Sequence, residues 1–474
     1  MNDSKLISWQ ACRGLFLLIM LSLAVLTNGC DGLWPLALRR SHAQQETGVL
    51  RVGLLRHSLS GQTSLGLGGL EQEILQKTAH DQNLKIRFQH FNSASGLLFA
   101  LQNHKLDLIG SRFDLEIASG QKILASPSYE DVPLSVVCAK NSNAVSDPSP
   151  LPFWQSLART LGRSGPPPPA DRTFLYLRSQ LSEKSLLQLE ELWPGREWQA
   201  YQPKTSSSIL SPIVSDPSRC VVLDRTLALA ELRSYNSLEI VAETPWKVSI
   251  GFLLGSEHTG AQVAISNWLS HAIPNHDLQN IRELYEGHWT ALDSLDTAVF
   301  FRRVQERLPE LRPTFESVAA EFNLPWQLVA AVAYQESHWE SSAESFTGVK
   351  GLMMLTKGTA SDLGVEDRCD TEQSVWGGVK YLRQLINAQP KSLSSRERLA
   401  FALASYNVGI AHILDVQVLA RSSGRNPWSW PAVKHLLPLL SYPEYYQQLE
   451  YGQARGQEPV DFTNRVLGFA ELLD

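Results

Sequence analysis

Ala331-Val-Ala-Tyr-Gln-Glu-Ser-His-Trp339 reads as an apolar helix with one carboxylate set into it. Val329, Val332 and Ala333 recur at helical spacing, and Glu336, four beyond Val332, is the next member of that stripe. Asn323 and Pro325 just upstream predict a helix capped by Asn323, with Pro325 in its first turn. Burial without a cation disfavours the charged form of a carboxyl group. Glu336 is therefore expected to have a raised pKa and to donate a proton near neutral pH. The competing reading is a half-solvated glutamate at the edge of a helix face.

Around this segment lies a chain of 474 residues, too long for one compact core, so two or three domains are expected. Hydrophobic content of 43% and charged content of 19% describe an ordinary globular protein. A net charge of −6, with no Lys/Arg cluster, argues against nucleic acid as a partner. None of the five cysteines (Cys12, Cys30, Cys138, Cys220, Cys369) forms a CxxC pair, and no Cys/His cluster has zinc spacing, so no metal or other cofactor is expected. For Cys138 and Cys220, a disulfide in an oxidising compartment and two separate buried thiols both fit.

Lys5 and Arg13 precede an apolar run from Leu15 to Leu26, broken only by Ser22. Twelve residues fall short of the ~20 that span a bilayer and suit a signal-peptide core. Export is the expectation, with residues 1–30 as signal peptide or membrane anchor and 31–47 as a tether. Leu26-Thr-Asn-Gly-Cys30 resembles the lipobox of bacterial lipoproteins, with Thr27 and Asn28 off pattern. Lipidation at Cys30, ordinary cleavage and an uncleaved anchor all fit, at the periplasmic face of the outer membrane.

From Gly48 onward short β-rich runs alternate with helices of about ten residues, interrupted by a Ser/Pro-rich stretch ending in Pro166 to Pro169. That alternation predicts an α/β domain with a largely parallel sheet. The order of Gly48–Gly53, Lys105-Leu-Asp-Leu-Ile109, Ser126-Pro-Ser-Tyr129 and Asp224 after an apolar strand resembles a type 2 periplasmic solute-binding domain of two lobes. The resemblance covers residues 48–290. Amino-acid-binding members carry an arginine shortly before Ser-Pro-x-Tyr, and Glu116-Ile-Ala-Ser-Gly-Gln-Lys122 has none. A non-catalytic sensor of a muropeptide or other small ligand, or a spacer that has lost ligand binding, is what remains.

Beyond Leu292 strand signals stop. Helical periodicity marks Phe300–Leu308, Pro313–Phe322, Trp326–Trp339, Trp376–Asn387, Arg396–Asn407 and Ile410–Ala420. A boundary near 290 makes 291–474 an all-α domain. Within it, Gln335-Glu-Ser-His-Trp339 is followed by Ser345-Phe-Thr-Gly-Val-Lys-Gly-Leu-Met-Met-Leu355 and by Ala404-Ser-Tyr-Asn-Val-Gly409. The series resembles the soluble lytic transglycosylase catalytic domain, with a goose-type-lysozyme-like fold. Gly-Leu-Met-Met-Leu, Trp34-Pro35 and Tyr451-Gly-x-Ala-Arg-Gly456 make the whole chain resemble the F branch of the membrane-bound lytic murein transglycosylases.

Glycosidic cleavage needs an acid for the departing oxygen, and usually a second carboxylate. Glu340 and Glu344 lie past the apolar stretch and read as solvated. One glutamate suffices if the sugar supplies its own nucleophile. The resemblance implies that reaction on peptidoglycan glycan strands. Glu336 protonates the MurNAc–GlcNAc oxygen, then takes the proton of the muramyl 6-hydroxyl, leaving a 1,6-anhydro end with no water consumed. It also implies substrate contacts for Ser345 near the acetamido group, for Gly351, Met353 and Met354 along the cleft, and for Tyr406 and Asn407. Each has a plainer alternative: a turn serine, a turn glycine like Gly348, core methionines, and a tyrosine that needs only a hydrogen-bond partner. His338 reads as a surface or packing residue. Phe462 stands where the family has a tyrosine and Gln453 replaces another, so a hydroxyl near the acid is missing; Tyr451 is a candidate to compensate. A hydrolytic lysozyme, and a solute-binding sensor with a degenerate wall-binding helical domain, are the rival functions.

Overall fold

The computed structural model describes residues 48–57, 59, 68–140, 168–169, 171–203, 209–346 and 348–473. The readings for residues 1–47, Cys30 among them, and for most of the Ser/Pro-rich stretch lie outside these. Among the described residues, no helix is long and apolar enough to cross a membrane.

In the first half the strands are β1 (Leu50–Leu55), β2 (Ile86–Phe91), β3 (Leu108–Asp114), β4 (Ile123–Ala125), β5 (Glu130–Ala139), β6 (Thr173–Leu177), β7 (Glu197–Tyr201), β8 (Arg219–Asp224) and β9 (Leu238–Gly255). Helices α1 (Leu70–Asp81), α2 (Ala94–Gln102), α3 (Glu183–Leu192), α4 (Arg225–Leu232), α5 (Thr259–Ala272) and α6 (Asp277–Glu286) accompany them. The sheet runs β2-β1-β3-β9-β5-β8-β6-β7, with β4 beside β9. β1 is parallel to β2 and β3, and β6 is parallel to β7 and β8. β9 runs antiparallel to β3 and β5, and β5 antiparallel to β8. Two parallel βαβ halves are thus joined by two long crossing strands, which is a two-lobed, periplasmic-binding-protein-like fold. Every residue of β3 is buried, as is Cys220 to Asp224 in β8, the pattern of parallel strands covered on both faces. Cys138 and Cys220 are register partners on β5 and β8, their Cα atoms 4.5 Å apart, and are joined as a disulfide. Of the two readings left open, the structure holds the bonded one.

From Ser294 on, the described elements are helical: α7 (Ser294–Glu306), α8 (Leu308–Glu321), α9 (Trp326–Ser337), α10 (Lys357–Leu363), α11 (Thr371–Ala388), α12 (Ser395–Val408), α13 (Ile410–Ser422) and α14 (Gln457–Leu472), with short helical turns between the last two. α9 is the axis of this bundle. Seven consecutive residues, Leu328 to Tyr334, are buried, so the helix has no solvent face there rather than a single apolar stripe. Phe300, Phe315, Val379, Leu403, Val466 and Phe469 surround it. The Tyr334 ring lies 4.8 Å from Phe300 and 4.7 Å from Phe469, both edge-on.

Asn323 does not cap α9. It adopts a left-handed conformation, φ 51°, at the end of α8, where its N–H bonds the Ala320 carbonyl, and Pro325 occupies the N-cap position. Asparagine tolerates that conformation better than most residues, so it closes one helix instead of opening the next. α7 and α11 start earlier than the apolar periodicity suggested, because Asp293 (in a capping box with Asp296) and Asp370 cap them. α8 passes through Pro313 in its second turn rather than starting there. α14 was not foreseen at all.

The two halves meet around Glu471 of α14. Its carboxylate accepts from Arg233 (2.7 Å), His288 (2.8 Å) and Arg396 (2.9 Å), all in buried surroundings. Burial holds His288 down to about 4, so the ring is neutral and donates from Nε2. Burial raises the Glu471 carboxyl, but His288 first and then the Arg233 and Arg396 guanidinium groups outweigh it and keep Glu471 well below the usual carboxylate range. Arg233, just beyond α4, is the cation contributed by the α/β half. Arg233→Met is expected to destabilise the protein by about 1.5–3 kcal/mol, the worth of a hydrogen bond to a charged group. Urea unfolding should show a lower midpoint. Arg455→Met, which removes an exposed ion pair with Glu458, should leave the midpoint in place.

Candidate active site

Glu336 lies in the last turn of α9, where the bundle opens, and is half-buried. Among the described residues its carboxylate has no hydrogen-bond or ion-pair partner, and burial alone pushes it up to about 8. The negative end of the helix dipole acts in the same direction. The carboxyl group therefore carries its proton at neutral pH.

The chain leaves α9 through two left-handed residues, His338 (φ 53°) and Trp339 (φ 62°). This reversal lays the Trp339 ring back against the helix, where its indole N–H donates to the Ala330 carbonyl at 2.8 Å. His338 stays exposed, its carbonyl accepting from Arg307. Ser337 buries its hydroxyl 2.9 Å from the Leu352 carbonyl, which fastens the glycine-rich segment to the end of α9. Glu340 and Glu344 are exposed, with Arg307 and Lys350 as their respective partners.

The segment itself folds back twice, pairing Glu344 with Lys350 and Lys350 with Leu355. Ser345 sits at its bend, its N–H donating to the Val349 carbonyl (3.0 Å) and its hydroxyl oxygen accepting from the Val349 N–H (3.2 Å). Gly351 has φ 86°, and a Cβ there would fall 1.7 Å from the Arg368 carbonyl, so only glycine fits. Arg368 in turn donates to the carbonyls of Gly348 (3.0 Å) and Leu355 (2.9 Å), stapling both arms. Met353 is fully buried, its side chain packed against Gly378, and only its main chain serves the site. Met354, left-handed at φ 45°, is partly exposed.

Tyr406 comes from α12. Its hydroxyl donates to the Met353 carbonyl at 3.0 Å. Its ring is stacked with Phe462 of α14, centroids 6.1 Å apart and planes 10° apart, and tilted against Tyr381 of α11 at 5.4 Å. Burial, then the neighbouring Glu336, pushes the phenol well above its usual range, so it stays neutral. Asn407, next in sequence, is exposed. Tyr451 is exposed as well, its N–H bonded to Asp415. The fold thus gathers Glu336, the Met353 carbonyl and Tyr406, with Ser345 and Gly351 in the fastened segment, and leaves Asn407 and His338 at the surface.

Three further residues were not singled out in the sequence. Arg368 lies in a loop with no pattern around it. Tyr381 looks like any helix residue. Arg465 holds the acid's helix: it donates to Gln335 (3.1 Å) while paired with Asp296 at 2.8 Å. Only its place in an unforeseen helix could have drawn notice.

Residues 313–428 match the family model described as "Transglycosylase SLT domain". The chain is 30% identical over 463 residues to a "Membrane-bound lytic murein transglycosylase F" of Haemophilus influenzae (strain PittEE), covering 96% of this chain and 92% of that one. It is 34% identical over 426 residues to the protein of that name from Vibrio cholerae serotype O1 (El Tor Inaba N16961), covering 89% and 78% respectively. A solved periplasmic VFT2 domain of Bordetella pertussis BvgS aligns with 52% of the chain and 97% of its own length, at 16% identity and a TM-score of 0.40. The chain belongs to the membrane-bound lytic murein transglycosylase F family.

Proposed function

We propose that Glu336 is the single acid–base residue of a peptidoglycan lytic transglycosylase that cleaves the MurNAc–GlcNAc β-1,4 bond without water. The observation that carries this assignment is a carboxyl group raised to about 8 by burial, with no charged neighbour among the described residues. Hydrolysis through two carboxylates needs a second one roughly 5–9.5 Å away. Protonated Glu336 donates to the glycosidic oxygen as the C1–O bond breaks, and the N-acetyl oxygen of muramic acid bonds to C1. The resulting carboxylate then removes the proton of the 6-hydroxyl, whose oxygen displaces the acetyl oxygen and closes the 1,6-anhydro ring. Glu336 ends protonated, as it began.

Ser345 and the partly exposed Met354 border the sugar in this reading, and Tyr406 acts by holding the Met353 carbonyl and the cleft wall. Residues 48–290 form the non-catalytic domain and 291–474 the catalytic one. The N-terminal segment, by acylation at Cys30 or as an uncleaved apolar anchor, ties the enzyme to the periplasmic face of the outer membrane, in keeping with membrane-bound relatives.

Glu336→Gln should abolish release of muropeptides from purified sacculi, a loss of at least about 10²-fold, the low end for removing a general acid. Mass spectrometry of the wild-type digest should show 1,6-anhydromuramyl ends; reducing ends alone would indicate a lysozyme, and an unchanged Glu336→Gln would leave the sensor reading.

The acid step needs the protonated carboxyl, so activity should persist through neutral pH and fall as pH rises past about 8. A raised folded-state pKa also means that wild-type stability declines as pH rises from the ordinary carboxylate range to about 8. Over that window Glu336→Gln should melt progressively higher than the wild type, which paired calorimetry would show.

Phe462→Tyr restores a hydroxyl on the ring stacked with Tyr406. If it donates to the ionised glutamate it favours the charged form, and the alkaline limb of the activity profile should move to lower pH. An unmoved limb would mean that this hydroxyl does not reach Glu336.

A further inference from the structure

One large apolar side chain of this protein stands entirely in water. Phe346 is 107% exposed, as open as in an unfolded chain. Among the described residues the next most exposed large apolar side chain is Leu295, at 72%. Single exposed apolar residues are common and need no explanation by themselves. The place of this one sets it apart. Phe346 follows Ser345 at the tip of the glycine-rich hairpin, on the segment that Ser337 fastens to the end of the acid's helix.

Neither the turn nor the core accounts for the ring. The Gly348 N–H bonds the Ser345 carbonyl at 2.9 Å, closing a tight turn over residues 345–348 with Gly348 at φ 78°. Such turns draw Gly, Pro, Asn, Asp and Ser, and a phenylalanine brings nothing to their geometry. Leu352, Met353 and Leu355 of the same segment join the buried cluster around α9, while Phe346 is not among the side chains packed against it.

The mount is braced. The Gly351 N–H bonds the Ala343 carbonyl at 3.0 Å, and Glu344 and Lys350 pair across the two arms at 2.9 Å. Val349 donates to the Ser345 hydroxyl, and Arg368 holds the Gly348 carbonyl behind the turn. Leu352 is tied to Ser337, next to the acid, and Phe346 lies six residues of chain away, a reach of roughly 20 Å at most. The ring is thus displayed within a few sugar lengths of Glu336.

A phenyl ring fixed in water is a preorganised contact, whose apolar surface is recovered only when a partner covers it. A pyranose offers that partner. Its axial C–H bonds make an apolar face, its hydroxyl and acetamido groups lie around the edge, and such faces recur along a β-1,4-linked strand. We propose that Phe346 grips the substrate by stacking on the apolar face of a sugar ring of the glycan strand at the mouth of the cleft. It touches no reacting atom; it holds the strand against the hairpin that carries Ser345. This role rests on the glycan-cleaving reading of Glu336.

Affinity measured in Glu336→Gln, which binds without cutting, tests the grip apart from the chemistry. The probe is glycan strands released from sacculi and stripped of their stem peptides by an amidase, titrated by calorimetry. Adding Phe346→Ala should raise Kd about tenfold, the worth of covering one ring face, and Phe346→Trp should retain the affinity. The melting temperature should not move, because the side chain packs on nothing. With Glu336 intact, Phe346→Ala should raise the KM for sacculi by a similar factor, and the products should keep their 1,6-anhydro ends. An unchanged Kd for Phe346→Ala, a loss confined to strands that still carry peptides, or a Phe346→Trp as weak as the alanine would overturn the proposal and leave the enzyme reading in place. Failure of Glu336→Gln to bind any strand would remove both.

Discussion

Glu336 is a carboxyl group held half-buried with no cation beside it among the described residues, and most of the helical half is arranged to make that placement possible. A single glutamate in a helix face would ordinarily rotate into solvent. It does not do so here because α9 is enclosed through Tyr334 and has no solvent face to turn toward. The helix then stops within two residues of the acid, as His338 and Trp339 reverse the chain and the indole clamps the reversal onto Ala330. Ser337, beside the acid, bonds the Leu352 carbonyl, so one turn of helix fixes both the acid and the segment that faces it.

Comparison with the other buried acids makes the point about company. Glu471 is largely enclosed yet ionised, because His288 and two arginines share it. Asp224 and Glu130 divide one arginine across the lobes. Glu336 is the one pushed up to about 8, since it has no such neighbour among the described residues. For Glu471 and Glu130 opposite charges outweigh burial and hold the carboxyl below its usual range. α14 links these environments. Phe462 stacks on Tyr406, Arg465 holds Gln335, and Glu471 binds the α/β half, nine residues and roughly 14 Å along a single helix.

How much of this could be read in the sequence follows from the range of the interactions. Alternating strands and helices marked the first half as an α/β domain, because strand and helix periods are local properties of the chain, while its two lobes were implied only by the resemblance to a solute-binding family. The Cys138–Cys220 bond was undecidable, since it depends on the register of β5 against β8 across 82 residues. The stripe containing Glu336 was legible, but complete enclosure of α9 was not; Ala330, Ala331 and Ala333 look small and neutral, and only neighbouring helices make them core. Asn323 looked like a cap and closes the previous helix, because asparagine suits both positions and local sequence does not choose. α14 escaped notice although Val460, Thr463, Val466, Leu467 and Ala470 recur at helical spacing, because Pro459 near its start and Gly468 inside it read as helix breakers.

The missing hydroxyl at Phe462 then has a chemical meaning that sequence comparison could pose but not resolve. Tyr406 has one proton to give, and it goes to the Met353 carbonyl, which leaves none for Glu336. With no donor to stabilise its charged form, the glutamate keeps a higher pKa. In a hydrolase with two carboxylates that would be a one-sided change, because acid and base are separate groups tuned apart. In a reaction that uses the same residue first as acid and then as base, a raised pKa weakens the donor and strengthens the acceptor together. A value near the working pH is the compromise between the two steps. On the proposed single-glutamate chemistry, a hydroxyl at position 462 that reached Glu336 would shift the balance between bond cleavage and ring closure without changing the reaction.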